Sequence, residues 1–129
     1  MAYLFDSNVF IFQLNGVLGD TGQALLRTGL IEGGAYSVIS RIEVLGYPQS
    51  AAELALAEEL FERLNPIAVD NAVIAQTIRL RQMRKIKIPD AIIAASALIQ
   101  GLPLVTNNVS DFQWIEGLRL IDPLPKMTP

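Results

Sequence analysis

The chain opens with the stretch YLFDSNVF, residues 3–10, in which a short apolar run ends at an acid and a helix then begins. The same order, a short apolar run followed by a helical pattern, recurs along the rest of the chain. Strands that alternate with helices are joined by crossovers, so they lie parallel in one sheet that is covered on both faces. The sequence therefore predicts a three-layer α/β/α fold with a central parallel sheet of four to five strands.

Turn and capping residues set the predicted bounds of these elements. Ser50 and Glu53 form a capping box, Asp70 is a helix N-cap, and Pro89 stands in a first helical turn. We predict strands over residues 2–5, 36–39, 66–69, 104–106 and 118–121. We predict helices over residues 9–14, 21–30, 40–45, 51–64, 71–85 and 88–100, and a turn at 107–111. The length of 129 residues suits one domain, 1–129, with a Pro-rich tail at 123–129.

The composition favours a well-packed protein with a partner surface. Hydrophobic residues make up 51% of the chain and charged residues 18%, which is far from the composition of disordered proteins. An apolar excess in a small domain is typical of a partner interface, and an extra-large core would have the same composition. We predict a homodimer whose surface includes the helices around 44–64, where Leu54, Leu56, Leu60 and Phe61 exceed one core-facing stripe.

Two residue types are missing, and their absence limits the chemistry. Without cysteine there can be no disulfide framework, thiol nucleophile or Cys-based zinc site. Without histidine there is no Ser-His-Asp triad, so proton chemistry must use carboxylates, Lys, Tyr or water on a metal. The N-terminus lacks the basic region of a signal peptide, and no apolar stretch is long enough to span a membrane. We therefore expect a cytoplasmic protein.

Four acids stand where the predicted strands end or the following helices begin. Asp6 follows the first strand, Glu43 lies in the predicted first turn of the helix after the second strand, and Asp90 opens a later helix. Asp111 follows the fourth strand, three residues after Asn108. Because function in open parallel sheets sits at the carboxyl ends of the strands, we expect these acids to converge there.

Such a cluster suits Mg²⁺ or Mn²⁺, which bind oxygen ligands and activate water without any histidine. Each acid also has a purely structural interpretation. Asp6 or Asp111 could cap a helix, Glu43 could complete a capping box with Ser40, and Asp90 could simply complement a helix dipole.

Basic residues are concentrated in one segment, although the formal net charge is −3. A local basic patch on an acidic protein can hold nucleic acid, and a solvated helix face would have the same composition. We interpret this segment as a candidate RNA-binding patch that contains Arg79, Arg81, Arg84, Lys85 and Lys87.

Four motifs in order resemble the PIN-domain family, and in particular its VapC-type toxin ribonucleases. They are YLFDSNVF (3–10), SRIEVLGY (40–47), IPDAIIAASAL (88–98) and LVTNNVSDF (104–112). The resemblance covers essentially the whole chain, and the third motif is the most diagnostic.

The resemblance implies a set of site residues. Asp6, Glu43 and Asp90 match the family's three central acids, and either Asn108, Asp111 or both complete the set. The resemblance thus assigns catalysis and metal binding to four acids, namely Asp6, Glu43, Asp90 and Asp111. Ser7 and Thr106 match hydroxyl positions that assist near the metal.

The resemblance further implies Mg²⁺- or Mn²⁺-dependent RNA cleavage, a homodimer, and inhibition by an antitoxin that occupies the acidic groove. One alternative is a PIN fold that binds RNA without cleaving it. Another is a haloacid-dehalogenase-type phosphatase, whose opening motif also places an Asp after the first strand. That motif requires a second Asp two residues later, and Asn8 occupies this position.

Overall fold

A computed structural model describes residues 2–124 of the chain. Its central sheet contains five short strands, β1 (Leu4–Phe5), β2 (Ala35–Ser37), β3 (Asn65–Ile67), β4 (Leu104–Val105) and β5 (Leu120–Ile121). All neighbouring strands are parallel, in the order β3-β2-β1-β4-β5. Residues 125–129 of the predicted Pro-rich tail lie outside the described residues.

Seven helices join and cover these strands. They are α1 (Ser7–Leu14), α2 (Asp20–Glu32), α3 (Val38–Leu45), α4 (Ala51–Glu62), α5 (Asn71–Met83), α6 (Ile88–Gln100) and α7 (Val109–Phe112). No helix within residues 2–124 is both long and apolar enough to cross a bilayer.

Adjacent strand residues point to opposite faces of the sheet, as the pleat requires. Leu4 and Leu104 pack in a core with α5 and α6, whereas Phe5 and Val105 pack in a second core with α1 to α4. Helix α6 is the most deeply buried, since the run Ala91–Ala97 is buried throughout. The predicted three-layer α/β/α fold with a parallel sheet is thus confirmed.

Several helix caps that the sequence predicts are present in the structure. Ser50 and Glu53 form the predicted capping box, and the Asp70 side chain accepts from the backbone N–H of Val73 at 3.0 Å. Asp6 caps α1, because one of its carboxylate oxygens accepts from the N–H of Ser7.

Two predicted local structures are wrong. Val38 and Ile39 are β-branched and were expected in the second strand, but Ser37 caps a helix there by accepting from the N–H of Ile39. Helix α3 therefore begins at Val38, so that Glu43 lies beyond its first turn and forms no capping box with Ser40. The second error is the predicted turn at 107–111, much of which forms α7.

Two glycines let α2 and β2 approach the ring of Phe5. A Cβ atom added at Gly29 would lie 2.5 Å from Phe5 Cε2, and one added at Gly34 would lie 2.7 Å from the same atom. Neither glycine has room for a side chain, because the ring is fully buried beneath them. This contact fixes the position of β1, whose carboxyl end leads directly into Asp6.

Candidate active site

Asp6 immediately follows the carboxyl end of the central strand β1, and its side chain is only 3% exposed. Its Oδ1 accepts from the backbone N–H of Ser7 at 2.8 Å, and its Oδ2 accepts from the Thr106 hydroxyl at 2.7 Å. Thr106 follows the neighbouring strand β4, so the two adjacent strands hold this carboxylate between them. Each carboxylate oxygen retains a lone pair that could bind a cation.

Burial raises the pKa of Asp6 from 3.8 to about 6, because desolvation disfavours the charged form. The hydrogen bonds from Thr106 and Ser7 oppose this rise. The negative charges of Asp90 and Glu43 add to it, which places both carboxylates within electrostatic reach of Asp6.

Glu43 reaches the same edge of the sheet from α3. The Ser7 hydroxyl lies 2.7 Å from Glu43 Oε1 and 2.9 Å from the Ser40 hydroxyl oxygen. An ionised carboxylate only accepts, so Ser7 donates to Glu43 and the Ser40 hydroxyl completes the chain. Ser40 is fully buried, and Glu43 is exposed to the cleft described below.

Asp90 stands in the first turn of α6, as predicted. Its pKa is raised, first by partial burial and then by the charges of Glu43 and Asp111. The ammonium group of Lys87 opposes this rise. Asp90 therefore links the carboxylates of α3 and α7 electrostatically.

Both candidates for the fourth position face the same cleft. The backbone N–H of Asn108 donates to Thr106 Oγ1 at 3.0 Å, which joins the start of α7 to the Asp6 hydrogen bonds. Asp111 lies in the first turn of α7, and its charge acts on Asp90.

A cleft of about 630 Å³ lies over this edge of the sheet. Its acidic lining residues, here called the acidic wall, are Glu43, Asp90 and Asp111. Its basic lining residues, here called the basic wall, are Arg81, Lys85 and Lys87. The walls are completed by Ile86, Pro89 and Asn108. Asp6 lies beneath this surface, within electrostatic reach of Asp90 and Glu43.

The other two basic residues of the predicted patch do not line the cleft. Arg79 donates to Gln76 along the exposed side of α5, and the Arg84 guanidinium lies over the ring of Trp114. The predicted patch is thus divided between the cleft wall and its surroundings.

A divalent cation fits the chemistry of the acidic wall. Within residues 2–124, no three acidic side chains are gathered tightly enough to enclose a metal ion as they stand. Their charges are nevertheless coupled, because Glu43 and Asp111 both raise the pKa of Asp90. Mg²⁺ commonly binds one or two carboxylates and keeps several waters, so a fully enclosing cage is not required.

Two residues of this region carried no functional prediction from the sequence. The sequence patterns indicate only that Ser40 begins a helix, and they indicate no role for Trp114. Ser40 could have been found from its spacing, since residues three apart on a helix are neighbours and Glu43 follows three positions later. The indole N–H of Trp114 bonds to Asp111 three residues earlier, whereas its contact with Arg84 joins distant segments and no local pattern indicates it.

Comparisons with known proteins place this chain in a family. The family model described as PIN domain matches residues 3–115. A search of curated protein sequences found no match. Among solved structures, a toxin-antitoxin complex from Klebsiella pneumoniae has 28% sequence identity and a TM-score of 0.78, covering 95% of this chain and 98% of that chain.

Two further structures have a similar fold. A chain of the DNA-bound VapBC from Salmonella typhimurium has 25% identity and a TM-score of 0.82, with 96% of this chain and 99% of that chain covered. A chain of VapBC2 from Rickettsia felis, bound to a promoter DNA fragment, has 23% identity and a TM-score of 0.78, with 94% and 98% covered. The family match speaks against the phosphatase alternative, and the chain belongs to the PIN domain family, as a domain of the VapC type.

Proposed function

We propose that this protein is a Mg²⁺- or Mn²⁺-dependent endoribonuclease and the toxin of a toxin–antitoxin pair. PIN domains of the VapC type are nucleases, and the finer assignment rests on one observation of this chain. Asp6, Glu43 and Asp90 act electrostatically on one another at the carboxyl edge of the sheet, beside a basic wall. The 129 residues are proposed to form one PIN-like domain.

Asp6 and Asp90 would hold the cation, with Glu43 and with Asp111 or Asn108 at its periphery. When bound, the cation polarises the phosphodiester and promotes deprotonation of water near neutral pH. Ser7 and Ser40 orient Glu43, while Thr106 orients Asp6. Arg81, Lys85 and Lys87 would bind the phosphates that flank the scissile bond.

The acidic and basic walls have different roles in this proposal. Without a cation, the coupled carboxylates repel an RNA backbone and each other. The basic wall draws the backbone toward the cleft, but it offers no oxygen ligands. Cleavage should therefore need a divalent cation, whereas RNA binding should weaken less when the cation is removed.

Cleavage of a structured RNA by the purified protein tests this function. We expect turnover with Mg²⁺ or Mn²⁺ and none with EDTA. Asp90→Asn should abolish cleavage, and calorimetry should show that it also weakens Mn²⁺ binding. Glu32→Gln is the matched control, because Glu32 is exposed at the end of α2, outside this cleft and outside the proposed dimer surface. Wild-type cleavage that persists in EDTA, or in Asp90→Asn, would refute the metal-dependent mechanism. RNA binding without any turnover would favour the inactive PIN module instead.

We also propose an antitoxin partner and, because the proposed substrate is RNA, a cytoplasmic location. The structural neighbours from Klebsiella pneumoniae and Salmonella typhimurium are toxin–antitoxin complexes. A small neighbouring reading frame with a DNA-binding N-terminus would encode the partner. Its product should co-purify with this chain and suppress cleavage, and an encoded protein that does neither would contradict this assignment.

We propose a homodimer as well. Near the predicted interface, Ile42, Tyr47 and Leu56 are 65%, 71% and 60% exposed, a large apolar surface for a small domain. The inclusion of Phe61 in this surface is wrong, because its side chain is 1% exposed and packs in the core. Sedimentation equilibrium should show about twice the 14.1 kDa chain mass at micromolar concentration, and a monomer would contradict the proposal.

A further inference from the structure

Trp114 does not line the cleft, but it contacts Asp111 of the acidic wall and Arg84, the residue before Lys85 of the basic wall. Its indole N–H donates to the backbone carbonyl of Asp111 at 2.8 Å. Its ring centroid lies 5.0 Å from the guanidinium carbon of Arg84, the member of the basic patch that immediately precedes Lys85. One side chain thus joins the acidic helix α7 to the end of α5.

Both contacts act on short segments of the chain, of which residues 84–87 are also held by the Arg81 guanidinium, which donates to the Ile86 carbonyl at 3.2 Å. Helix α7 has only four residues, so most of its backbone groups lack partners inside the helix. The indole N–H provides a donor for one of its terminal carbonyls. On the other side, α5 ends at Met83, and residues 84–87 connect it to α6. The guanidinium over the indole face is a cation–π contact that fixes the start of this connection.

We propose that Trp114 is a positioning residue, which with Arg84 holds the acidic and basic walls of the cleft in register. This inference rests on the proposed nuclease function for its effect on cleavage. The Arg84–Trp114 pair places Lys85 and Lys87 on the phosphates while Asp111 stays beside Asp90. Arg84 need not touch RNA for this, since it acts through the indole ring.

Amide hydrogen exchange of the protein without RNA tests the positioning directly. Arg84→Met keeps an aliphatic side chain of similar length and removes the cation. It should accelerate exchange at residues 109–113, which lie on a different segment of the chain. Arg119→Met is the charge-matched control, because Arg119 donates to the Gly101 carbonyl after the C-terminal end of α6, remote from Asp90 at its start. Equal exchange at 109–113 in the two variants would overturn the proposal.

Kinetics then separate positioning from simple phosphate binding. Arg84→Met should lower kcat by about 2- to 5-fold, the effect expected of an exposed cation–π contact, and Arg84→Lys should recover part of it. Trp114→Phe keeps a ring and loses the N–H, so it should also lower kcat. In the double variant the losses should be less than multiplicative, because both changes break one connection.

A loss confined to KM, or losses in kcat that multiply independently, would overturn the positioning role. If the wild-type protein cleaves no RNA at all, the proposed nuclease function fails. The hydrogen-exchange comparison of Arg84→Met with Arg119→Met would still decide whether Trp114 connects the two walls.

Discussion

Thr106 donates its hydroxyl to Asp6 Oδ2 at 2.7 Å, although the two residues are 100 positions apart in the chain. Their strands, β4 and β1, are neighbours in the sheet, so the contact depends on the fold rather than on local sequence. The hydroxyl lowers the pKa of Asp6 against the larger effect of burial. The two residues together therefore determine the pH at which Asp6 becomes a carboxylate.

Thr106→Val should shift the acid limb of the cleavage profile to higher pH. Valine preserves the shape but removes the donor to Asp6, so the pKa of Asp6 should rise further above its usual value. The half-buried N–H of Asn108 also loses its acceptor, and the free energy of unfolding should fall by about 1 kcal/mol. A pH–rate series measures the shift, and Thr106→Ser should restore the wild-type profile. An unchanged acid limb in Thr106→Val would contradict this role.

Asp6→Asn should stabilise the fold at neutral pH while abolishing cleavage. The pKa of Asp6 is raised from 3.8 to about 6, so ionisation disfavours the folded state. In the wild-type protein, the contribution of protonated Asp6 to the free energy of unfolding is fully present below pH 3.8. It is lost as the pH rises through about 6. The free energy of unfolding of Asp6→Asn should thus exceed that of the wild type by up to about 3 kcal/mol above pH 7, at 1.36 kcal/mol per pKa unit. This difference should vanish near pH 3.

Thermal melts of the wild type and Asp6→Asn at pH 4 and pH 8 measure this difference. Glu32→Gln, an exposed acid-to-amide change outside the proposed dimer surface, provides the control. A stabilisation that is larger at pH 4 than at pH 8 would show that the sign of the pKa shift is wrong.

Ser7→Ala and Glu43→Gln should affect the same step. The Ser7 hydroxyl orients the Glu43 carboxylate through a 2.7 Å hydrogen bond, so removing either group should lower kcat with little change in KM. We expect about a 10-fold loss for Ser7→Ala and a larger one for Glu43→Gln, and the double variant should resemble Glu43→Gln alone. Fully multiplicative losses would indicate that the two residues act independently.

Asp111→Asn and Asn108→Ala decide which residue completes the acidic set. The Asp111 charge raises the pKa of Asp90, so its removal should lower that pKa. If Asp111 also contributes to cation binding, Asp111→Asn should weaken Mn²⁺ binding by about 10-fold or more. Calorimetry with both variants makes the comparison. A larger loss in Asn108→Ala would assign the fourth position to Asn108.

Arg81→Gln and Lys85→Gln should weaken RNA binding without a large change in kcat. Each phosphate contact removed should reduce the slope of log affinity against log salt by about 0.7 for a single strand. Lys87→Gln should differ, since the pKa of Asp90 would also rise without that ammonium group. Filter binding at several salt concentrations measures the slopes, with Arg119→Gln as control. Slopes equal to that of the control would show that these residues do not contact the RNA phosphates.

The sequence predicts the fold better than the electrostatics of the site. Apolar runs, the Ser50 capping box and the Asp70 cap are local signals, and the structure has each of them. Local signals conflict at Val38 and Ile39, where β-branched residues suggest a strand but the Ser37 cap begins a helix. The placement of Asp6, Glu43 and Asp90 next to predicted strand ends and helix starts predicts that they approach one edge of the sheet.

Local sequence signals do not indicate contacts between segments that are distant in the chain. The division of the basic residues between the cleft wall and the Trp114 ring depends on how α5 ends against the segment after α7. The pairing of Ser40 with Ser7 likewise depends on α1 and α3 packing together. Periodicity places a residue on one face of its own element, but it does not specify the neighbour across that face.

The close packing of Gly29 and Gly34 against Phe5 has a consequence for any mutational scan scored by toxicity in living cells. Alanine at either glycine would force the Phe5 ring aside, at a cost of about 1–3 kcal/mol for overpacking. Such variants would be scored as harmless, as would substitutions of Asp6 or Asp90. The reasons differ, because the glycine variants would be lost to cellular proteolysis while the acid variants would accumulate as intact, inactive protein. A parallel measurement of protein abundance would separate the two groups of silent variants.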